Sequence, residues 1–149
     1  LSTLHTNTAI GAVTRLANMG VQPYLLSNSL AGLIAQRLVR TLCPHCKEPH
    51  VPDDYERQFL QLESSDDGPI YRAKGCRECA FEGYRGRVGI YEVSLVDEIL
   101  GEKIHTGASE VEMERIARQQ SPSIRADGRR KVLEGLTTMD EILRVTLAD

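Results

Sequence analysis

Four cysteines arranged as two Cys-x-x-Cys pairs constrain the fold of this chain more than any other feature of its sequence. Cys43 and Cys46 form the first pair, Cys76 and Cys79 form the second, and 29 residues (47–75) lie between them. Two thiolates two residues apart can reach one metal ion from a tight turn, and two such turns supply the four sulphur ligands of a tetrahedral zinc site. Because four protein ligands leave no open position on zinc, we expect a structural ion that orders the intervening insertion.

Other interpretations of the four cysteines stay open on the sequence alone. A Cys-x-x-Cys pair is also typical of a thiol oxidoreductase, which requires exposed thiols of low pKa, although two copies in one short region argue against it. Four unrelated buried cysteines would not be expected to show this spacing. His45 and His50 are close enough along the chain to replace a cysteine ligand, and we interpret both as bystanders.

The composition and charge of the chain exclude several classes of protein. Its 149 residues have the length of about one domain. With no Trp and only 5% aromatic residues, the core must be aliphatic. Lys and Arg number 18 against 21 Asp and Glu, and residues 40–89 contain eight basic and nine acidic side chains, which predicts no direct nucleic-acid binding. No apolar run approaches the roughly 18 residues of a membrane-spanning helix, so we expect no transmembrane segment.

Apolar periodicity and capping patterns predict a mainly α fold with a small β content. Predicted helices span residues 7–19, 23–40, 53–62, 94–103, 109–120, 123–134 and 138–147. Short strands are predicted at residues 70–73 and 88–93. Capping boxes are predicted for Asp53 with Glu56, Ser109 with Glu112 and Thr138 with Glu141. The sequence therefore indicates two N-terminal helices, a cysteine-bearing insertion with short strands and a C-terminal helical bundle.

The longest predicted helix would place two arginines just before the first cysteine pair. Its apolar stripe consists of Leu26, Leu30, Leu33, Ile34 and Leu38. Arg37 and Arg40 then fall in its last turns, where cations suit the negative end of the helix dipole, and they could also face a neighbouring subunit. On this interpretation the first cysteine turn follows directly from a helix.

The first nine residues have the pattern of a buried strand that delivers a polar side chain to its carboxyl end. Ligands bind at that edge of open α/β sheets, so His5 is a candidate functional residue. A lone histidine at such a point is more often structural than catalytic. Because the chain begins with Leu1 inside this pattern, we expect it to be a fragment of a longer protein, and the absence of a signal peptide then carries no information.

The chain carries a series of motifs in a specific order. They are Ser2–Asn7, residues 12–16, residues 31–43, the tetracysteine insertion with both cysteine pairs, residues 83–92 and residues 127–146. This series resembles the secretion ATPase superfamily, which includes the ATPases of type II secretion and of type IV pilus assembly. Ser2–Asn7 looks like the histidine box of that family. The tetracysteine module favours the type II secretion or pilus-assembly branches over the retraction branch.

The resemblance implies a division of the chain into three parts. Residues 1–42 would be the C-terminal part, and hence an edge, of a RecA-like α/β ATPase domain. Residues 43–93 would form the tetracysteine zinc-binding module, and residues 94–149 a C-terminal helical subdomain.

The resemblance also implies roles for five residues. His5 would act near the γ-phosphate of ATP, as a sensor or as an orienter of the attacking water. The ligands of the structural Zn²⁺ would be Cys43, Cys46, Cys76 and Cys79.

Members of this family are described as cytoplasmic homohexamers, peripheral to the inner membrane, that hydrolyse ATP with Mg²⁺ to drive pilus or pseudopilus assembly. The resemblance therefore implies neighbouring subunits and inner-membrane platform proteins of the secretion machinery as partners. The chain contains no G-x-x-x-x-G-K-[ST] motif and no Walker B strand, so we expect ATP hydrolysis by the parent protein but none by this fragment alone. The alternative is a free-standing zinc module that binds nucleic acid or protein.

Overall fold

The computed structural model describes residues 3–4, 6, 8–63, 65–66 and 68–146 of the chain. His5 lies outside these described residues. The helices among them are α1 (Gly11–Asn18), α2 (Pro23–Ser29), α3 (Asp54–Leu60), α4 (Glu98–His105), α5 (Glu110–Gln120), α6 (Ile124–Leu133) and α7 (Met139–Thr146). The strands are β1 (Gly32–Leu42), β2 (Glu48–His50), β3 (Ile70–Arg72) and β4 (Tyr84–Leu95). The predicted mainly α fold with a small β content is confirmed.

The four strands form two separate antiparallel pairs. β1 pairs with β4, and two hydrogen bonds mark the ends of this pair. The Val96 N–H donates to the Ala31 carbonyl (3.1 Å), and the Cys43 N–H donates to the Gly83 carbonyl (3.0 Å). β2 pairs with β3. Both of these short strands lie between the cysteine pairs, so they order part of the insertion.

The predicted helix over 23–40 is wrong in its second half. α2 ends at Ser29, and β1 follows. Ile34 and Leu38, which the helix prediction places in its apolar stripe, are 69% and 48% exposed. The buried residues of β1 are instead Leu33, Ala35, Val39 and Leu42. The apolar residues of 32–42 fit the two-residue period of a strand as well as the 3.6-residue period of a helix. Pairing with β4 supplies the backbone hydrogen bonds that make this segment a strand.

Two consequences follow from this correction. The first cysteine pair comes directly after a strand, not after a helix. Arg37 and Arg40 lie on β1, so the helix-dipole argument does not apply to them.

The other predicted elements are confirmed, with shifted ends. Asp53 caps α3 through a full capping box with Glu56. Ser109 caps α5 by accepting from the Glu112 N–H. α4 begins later than predicted because β4 continues to Leu95 and because Asp97, the cap of α4, accepts from the Leu100 N–H at 2.8 Å. No helix among the described residues is long and apolar enough to span a membrane.

The chain divides into two compact units, each built from two stretches of sequence. The first unit consists of Leu1–Gln36 and Tyr91–Ile124. It contains α1, α2, α4 and α5, and α4 packs against both α2 and α5. Its buried aliphatic residues include Ile10, Val13, Leu26, Leu100, Ile104, Met113 and Ile116.

The second unit consists of Arg37–Ile90 and Arg125–Asp149. It contains both cysteine pairs, β2, β3, α3, α7 and most of α6. The four helices after β4 are thus divided between the two units. Buried residues of the second unit include Val39, Leu42, Leu60, Ile70, Ile90, Val132 and Ile142. The three-part division that the family resemblance implies, with boundaries at residues 42/43 and 93/94, is a different one. It concerns the parent protein and stays a prediction.

Candidate metal centre

The four cysteines come together in the second unit. The Sγ atoms of Cys43 and Cys76 are 3.9 Å apart, those of Cys46 and Cys79 are 3.8 Å apart, and those of Cys76 and Cys79 are 3.8 Å apart. All four sulphur atoms lie within 4.8 Å of one another. Four sulphur atoms placed about 2.3 Å from a central zinc ion in a tetrahedron would lie about 3.8 Å apart. The spacing of the cluster therefore fits a zinc ion.

Each cysteine pair is held by a tight turn. In the first turn, which follows β1, the Lys47 N–H donates to the Cys43 carbonyl at 3.0 Å. In the second, a 3-10 turn covers Arg77–Cys79, and the Phe81 N–H donates to the Cys76 carbonyl at 2.8 Å. Both turns place their two sulphur atoms on one side, as the Cys-x-x-Cys spacing predicts.

Two glycines allow the second turn to fit. Gly75 has a φ of +105°, and a Cβ atom there would lie 2.5 Å from the carbonyl oxygen of Phe81. Gly83 has a φ of +77°, and its Cβ would lie 2.7 Å from the Cβ of Ala73. Only glycine combines a positive φ with so close an approach of neighbouring backbone. The close approach of Phe81 thus requires glycine at position 75.

Backbone donors point at one of the sulphur atoms. The N–H groups of Cys76 and Gly83 both donate to Cys79 Sγ at 3.2 Å. Burial opposes ionisation of Cys79, but these donors outweigh it and bring the pKa of its thiol down to about 7. Burial raises the pKa of the Cys46 thiol to about 12, against a backbone hydrogen bond from Gly75 that lowers it. Without a cation, the cluster holds one thiol that ionises readily beside one that resists ionisation.

The burial of the cluster argues against thiol-disulfide chemistry. Cys43, Cys46 and Cys79 are buried, and Cys76 is partly buried. An oxidoreductase needs a thiol of low pKa in contact with solvent, whereas here the thiol of low pKa, Cys79, is enclosed. An all-sulphur, enclosed and closely spaced set of four donors suits Zn²⁺ in a structural role.

The two nearby histidines stay outside the cluster. His45 is exposed on the first turn. His50 Nε2 lies 2.8 Å from Glu56 Oε2 on α3. The hydrogen bond with His50 and that from the Asp53 backbone hold the pKa of Glu56 below its usual value, although burial acts in the opposite direction. The interpretation of both histidines as bystanders agrees with this geometry.

Lys47 ties the first cysteine turn to the loop after α6. Its Nζ lies 4.3 Å from the centroid of the Tyr71 ring and donates to the Gly135 carbonyl at 2.8 Å. The loop makes a further link through the Leu42 N–H, which donates to the Leu136 carbonyl at 2.8 Å. The loop after α6 is thus hydrogen-bonded to residues that flank the first cysteine pair.

A buried carboxylate that sequence reasoning missed lies close by in the same unit. Glu141, predicted only as the partner of Thr138 in a capping box, turns its side chain toward Arg40 and Arg144. The Thr138 hydroxyl does accept from the Glu141 N–H, at 3.4 Å. The guanidinium of Arg40 also lies over the Tyr84 ring, 4.1 Å from its centroid. The prediction that Thr138 accepts from the Glu141 N–H is therefore confirmed, and the prediction that the Glu141 carboxylate completes the capping box is wrong.

The first unit contains a second buried carboxylate that the sequence did not single out, Glu92 on β4. It pairs with Arg118 and accepts from two backbone N–H groups, those of Ala9 and Ile124. The signal in the sequence is an acidic residue within the otherwise uncharged stretch 88–95 of β4, and its partners are 26 to 83 residues away.

Comparisons with known proteins identify the family. A family model described as "Type II/IV secretion system protein" matches residues 1–144. The chain belongs to this family of secretion proteins. The match includes all four cysteines and both buried carboxylates described above.

Relatives within the family are similar over nearly all of the chain. "Type II secretion system protein E" of Pseudomonas aeruginosa is 57% identical over 146 residues, which cover 98% of this chain and 29% of the relative. "Type II secretion system ATPase E" of Vibrio cholerae is 53% identical, with the same coverage. "Putative type II secretion system protein E" of Escherichia coli is 45% identical over 99% of this chain and 30% of the relative. The chain thus spans less than a third of the length of these relatives.

Proposed function

We propose that this chain is the C-terminal part of a hexameric ATPase that powers assembly of the pseudopilus in type II protein secretion. The observation that carries the proposal is the similarity to a type II secretion ATPase, 53% identity over 98% of the chain. The ordered motifs from Ser2–Asn7 to residues 127–146 support it. Because the chain spans about 29% of that relative, the activity belongs to the longer protein.

In that protein the three parts of the chain have different tasks. Residues 1–42 complete a RecA-like ATPase domain, and residues 94–149 form a helical subdomain that offers subunit contacts. His5 acts near the γ-phosphate, while ATP and Mg²⁺ are bound mainly by a phosphate-binding loop and acidic residues that this chain does not contain. The chain alone is therefore inactive.

Residues 43–93 form a structural zinc module. Cys43, Cys46, Cys76 and Cys79 would hold the ion, and the spacing, burial and all-sulphur chemistry of the cluster support this assignment. A bound Zn²⁺ supplies a rigid crosslink between the two cysteine turns and no reactive position.

The proposed protein works at the cytoplasmic face of the inner membrane, as a peripheral homohexamer docked on platform proteins of the secretion system. The similarity to proteins named for type II secretion supports this location. Binding of nucleic acid is not part of the proposal. Residues 40–89 contain eight basic and nine acidic side chains, so this part of the chain carries no net positive charge for a phosphate backbone. Two of the basic residues, Arg72 and Lys74, also pair with the carboxylates of Glu56 and Glu48.

The experiment measures ATP hydrolysis by the full-length protein, by the 149-residue chain and by two histidine variants of the full-length protein. We expect hydrolysis by the full-length protein, none by the isolated chain, and a large loss with His5→Ala. His105→Ala is the matched control, because His105 is an exposed residue at the end of α4. Mutation-sensitive hydrolysis by the isolated chain, or an unaffected His5→Ala variant, would contradict the proposal.

A further inference from the structure

Glu92 joins three segments of the first unit that are distant in sequence. The residue is 2% exposed on β4. Its Oε1 accepts from the Ala9 N–H at 3.3 Å and pairs with the guanidinium of Arg118 on α5. Its Oε2 accepts from the Ile124 N–H, at the first residue of α6, at 3.3 Å. One carboxylate thereby fixes the segment before α1, the last turn of α5 and the start of α6.

All three of these partners donate hydrogen bonds to Glu92, so both oxygens must be acceptors. A glutamine of the same shape would turn its amide –NH₂ toward at least one of these donors, whichever way the amide is oriented. Burial makes this mismatch costly, because the affected groups have no water to bind instead. Glu92→Gln therefore removes contacts with almost no change in side-chain volume.

The segment held by Glu92 is the one that leaves the histidine motif Ser2–Asn7. The Thr8 hydroxyl accepts from the Gly11 N–H at 2.9 Å, at the start of α1. The Thr6 hydroxyl donates to the Thr8 carbonyl at 3.0 Å. Ala9 and Ile10 are both buried. The backbone is thus fixed at Thr8 by local hydrogen bonds and at Ala9 by the carboxylate of Glu92.

We propose that Glu92, with Arg118, is a positioning residue for ATP hydrolysis. It fixes the backbone at Ala9, which closely follows the histidine motif Ser2–Asn7 in the sequence. This inference rests on the proposed function. His5, the residue to which the proposed function gives a role in hydrolysis, precedes Ala9 by only four residues in the sequence. A displacement of about 1 Å from a remote change can cost about 100-fold in rate.

Glu141 offers a matched control for Glu92. It is 1% exposed, pairs with two arginines and accepts from a backbone N–H, as Glu92 pairs with an arginine and accepts from backbone. It belongs to the second compact unit, which does not contain the histidine motif. Glu141→Gln should therefore lower the stability by a similar amount and leave the hydrogen bond between Glu92 and the Ala9 N–H intact.

The experiment compares full-length protein carrying Glu92→Gln, Arg118→Lys or Glu141→Gln with the wild type. The readouts are kcat, the KM for ATP and the hydrogen exchange of the Ala9 amide, all measured well below the unfolding temperature. For Glu92→Gln we expect kcat to fall about 10- to 100-fold, KM to stay within about twofold, and Ala9 exchange to accelerate. Arg118→Lys keeps a cation beside the buried carboxylate, so it should fold even if Glu92→Gln does not and should lower kcat by about 3- to 10-fold.

The control separates positioning from stability. Glu141→Gln should leave kcat and Ala9 exchange unchanged even though it lowers the thermal stability. Wild-type kcat in both Glu92→Gln and Arg118→Lys, or an equal fall in kcat in Glu92→Gln and Glu141→Gln, would overturn the positioning role and leave the proposed function standing. Absence of ATP hydrolysis by the wild-type full-length protein would overturn the proposed function, and the positioning role with it.

Discussion

Glu141 on α7 binds both the main chain and the side chain of Arg40 on β1, a residue 101 positions earlier. Its Oε2 accepts from the Arg40 N–H at 2.9 Å, and its Oε1 accepts from the Arg40 guanidinium at 2.8 Å. Arg144 donates to both of the same oxygens. This carboxylate fastens the last helix of the described residues to the strand that leads into the first cysteine turn.

The Glu141 network predicts a loss of stability at acidic pH. Burial alone would raise the pKa of Glu141, but hydrogen bonds from Arg144 and Arg40 outweigh it and lower the pKa to about 2. A carboxyl whose pKa is lower in the folded chain than in the unfolded one stabilises the fold above the unfolded value of 4.5. This contribution, roughly 3 kcal/mol in the free energy of unfolding, is lost as the pH falls from about 4.5 toward 2.

Denaturant unfolding of the wild type and of Glu141→Gln across this pH range measures that contribution. We expect the two proteins to differ most near pH 6 and to converge near pH 2. A difference in unfolding free energy that is constant from pH 6 to pH 2 would contradict the assignment of the low pKa to Glu141.

Removal of metal is expected to loosen the second unit. Removal of the ion breaks the crosslink between residues 43–46 and 76–79, because four thiolates can lie side by side only around a cation. Lys47 and Leu42 connect the first turn to the loop at residues 135–136, so that loop should loosen as well.

Zinc content and hydrogen exchange test the effect of metal removal. We expect about one zinc per chain in the purified protein, and faster exchange over residues 43–83 and 135–141 in Cys76→Ser or after chelation. α4 and α5, in the other compact unit, provide the internal reference and should exchange as before. Unchanged metal content and unchanged exchange in Cys76→Ser would refute the zinc assignment.

Alanine variants of Gly75 and Gly86 separate the cost of a steric clash from the cost of a positive φ. Gly75→Ala should lower stability and zinc retention strongly, because its Cβ would lie 2.5 Å from a carbonyl oxygen. Gly86 has a similarly positive φ of +83°, but nothing lies within 4 Å of its Cβ position. Gly86→Ala should therefore cost only the conformational penalty, about 1 kcal/mol. Thermal unfolding and zinc titration of both variants measure the difference, and equal effects would argue against the close approach at Gly75.

The cap of α3 provides a local prediction within the insertion. Asp53 accepts from the Glu56 N–H at 2.8 Å, and Glu56 in turn contacts His50 on β2. Asp53→Ala should lower stability by about 1 kcal/mol, the typical cost of losing an N-cap. Asp54→Ala, at the first helical residue beside the cap, is the control and should cost less. Chemical denaturation of the zinc-loaded protein measures both, and an equal cost would contradict the capping role of Asp53.

Features that depend on neighbouring residues could be predicted from the sequence. The Cys-x-x-Cys spacing predicted both tight turns, and the pattern of Asp53 followed by Glu56 predicted a helix start, because both arise within a few residues. The helices α5, α6 and α7 were found from apolar periodicity and local caps in the same way.

Features that depend on distant partners were missed or wrong. Residues 32–42 carry an apolar run that suits a helix and a strand equally well, and only pairing with β4 made them a strand. The sequence does not single out Glu92, and it predicts Glu141 only as part of a capping box, because the arginine and backbone groups that bind these carboxylates lie up to 83 and 101 residues away.

The sequence by itself therefore determined the family, the grouping of the four cysteines and most of the helices, since these follow from order, spacing and short-range hydrogen bonding. The tertiary structure alone decided that β1 is a strand, that α6 and α7 belong with the cysteine cluster, and that two buried carboxylates each bind several elements. The physical reason is that a strand and a buried charge are stable only with partners, and the fold, not the local sequence, brings those partners near.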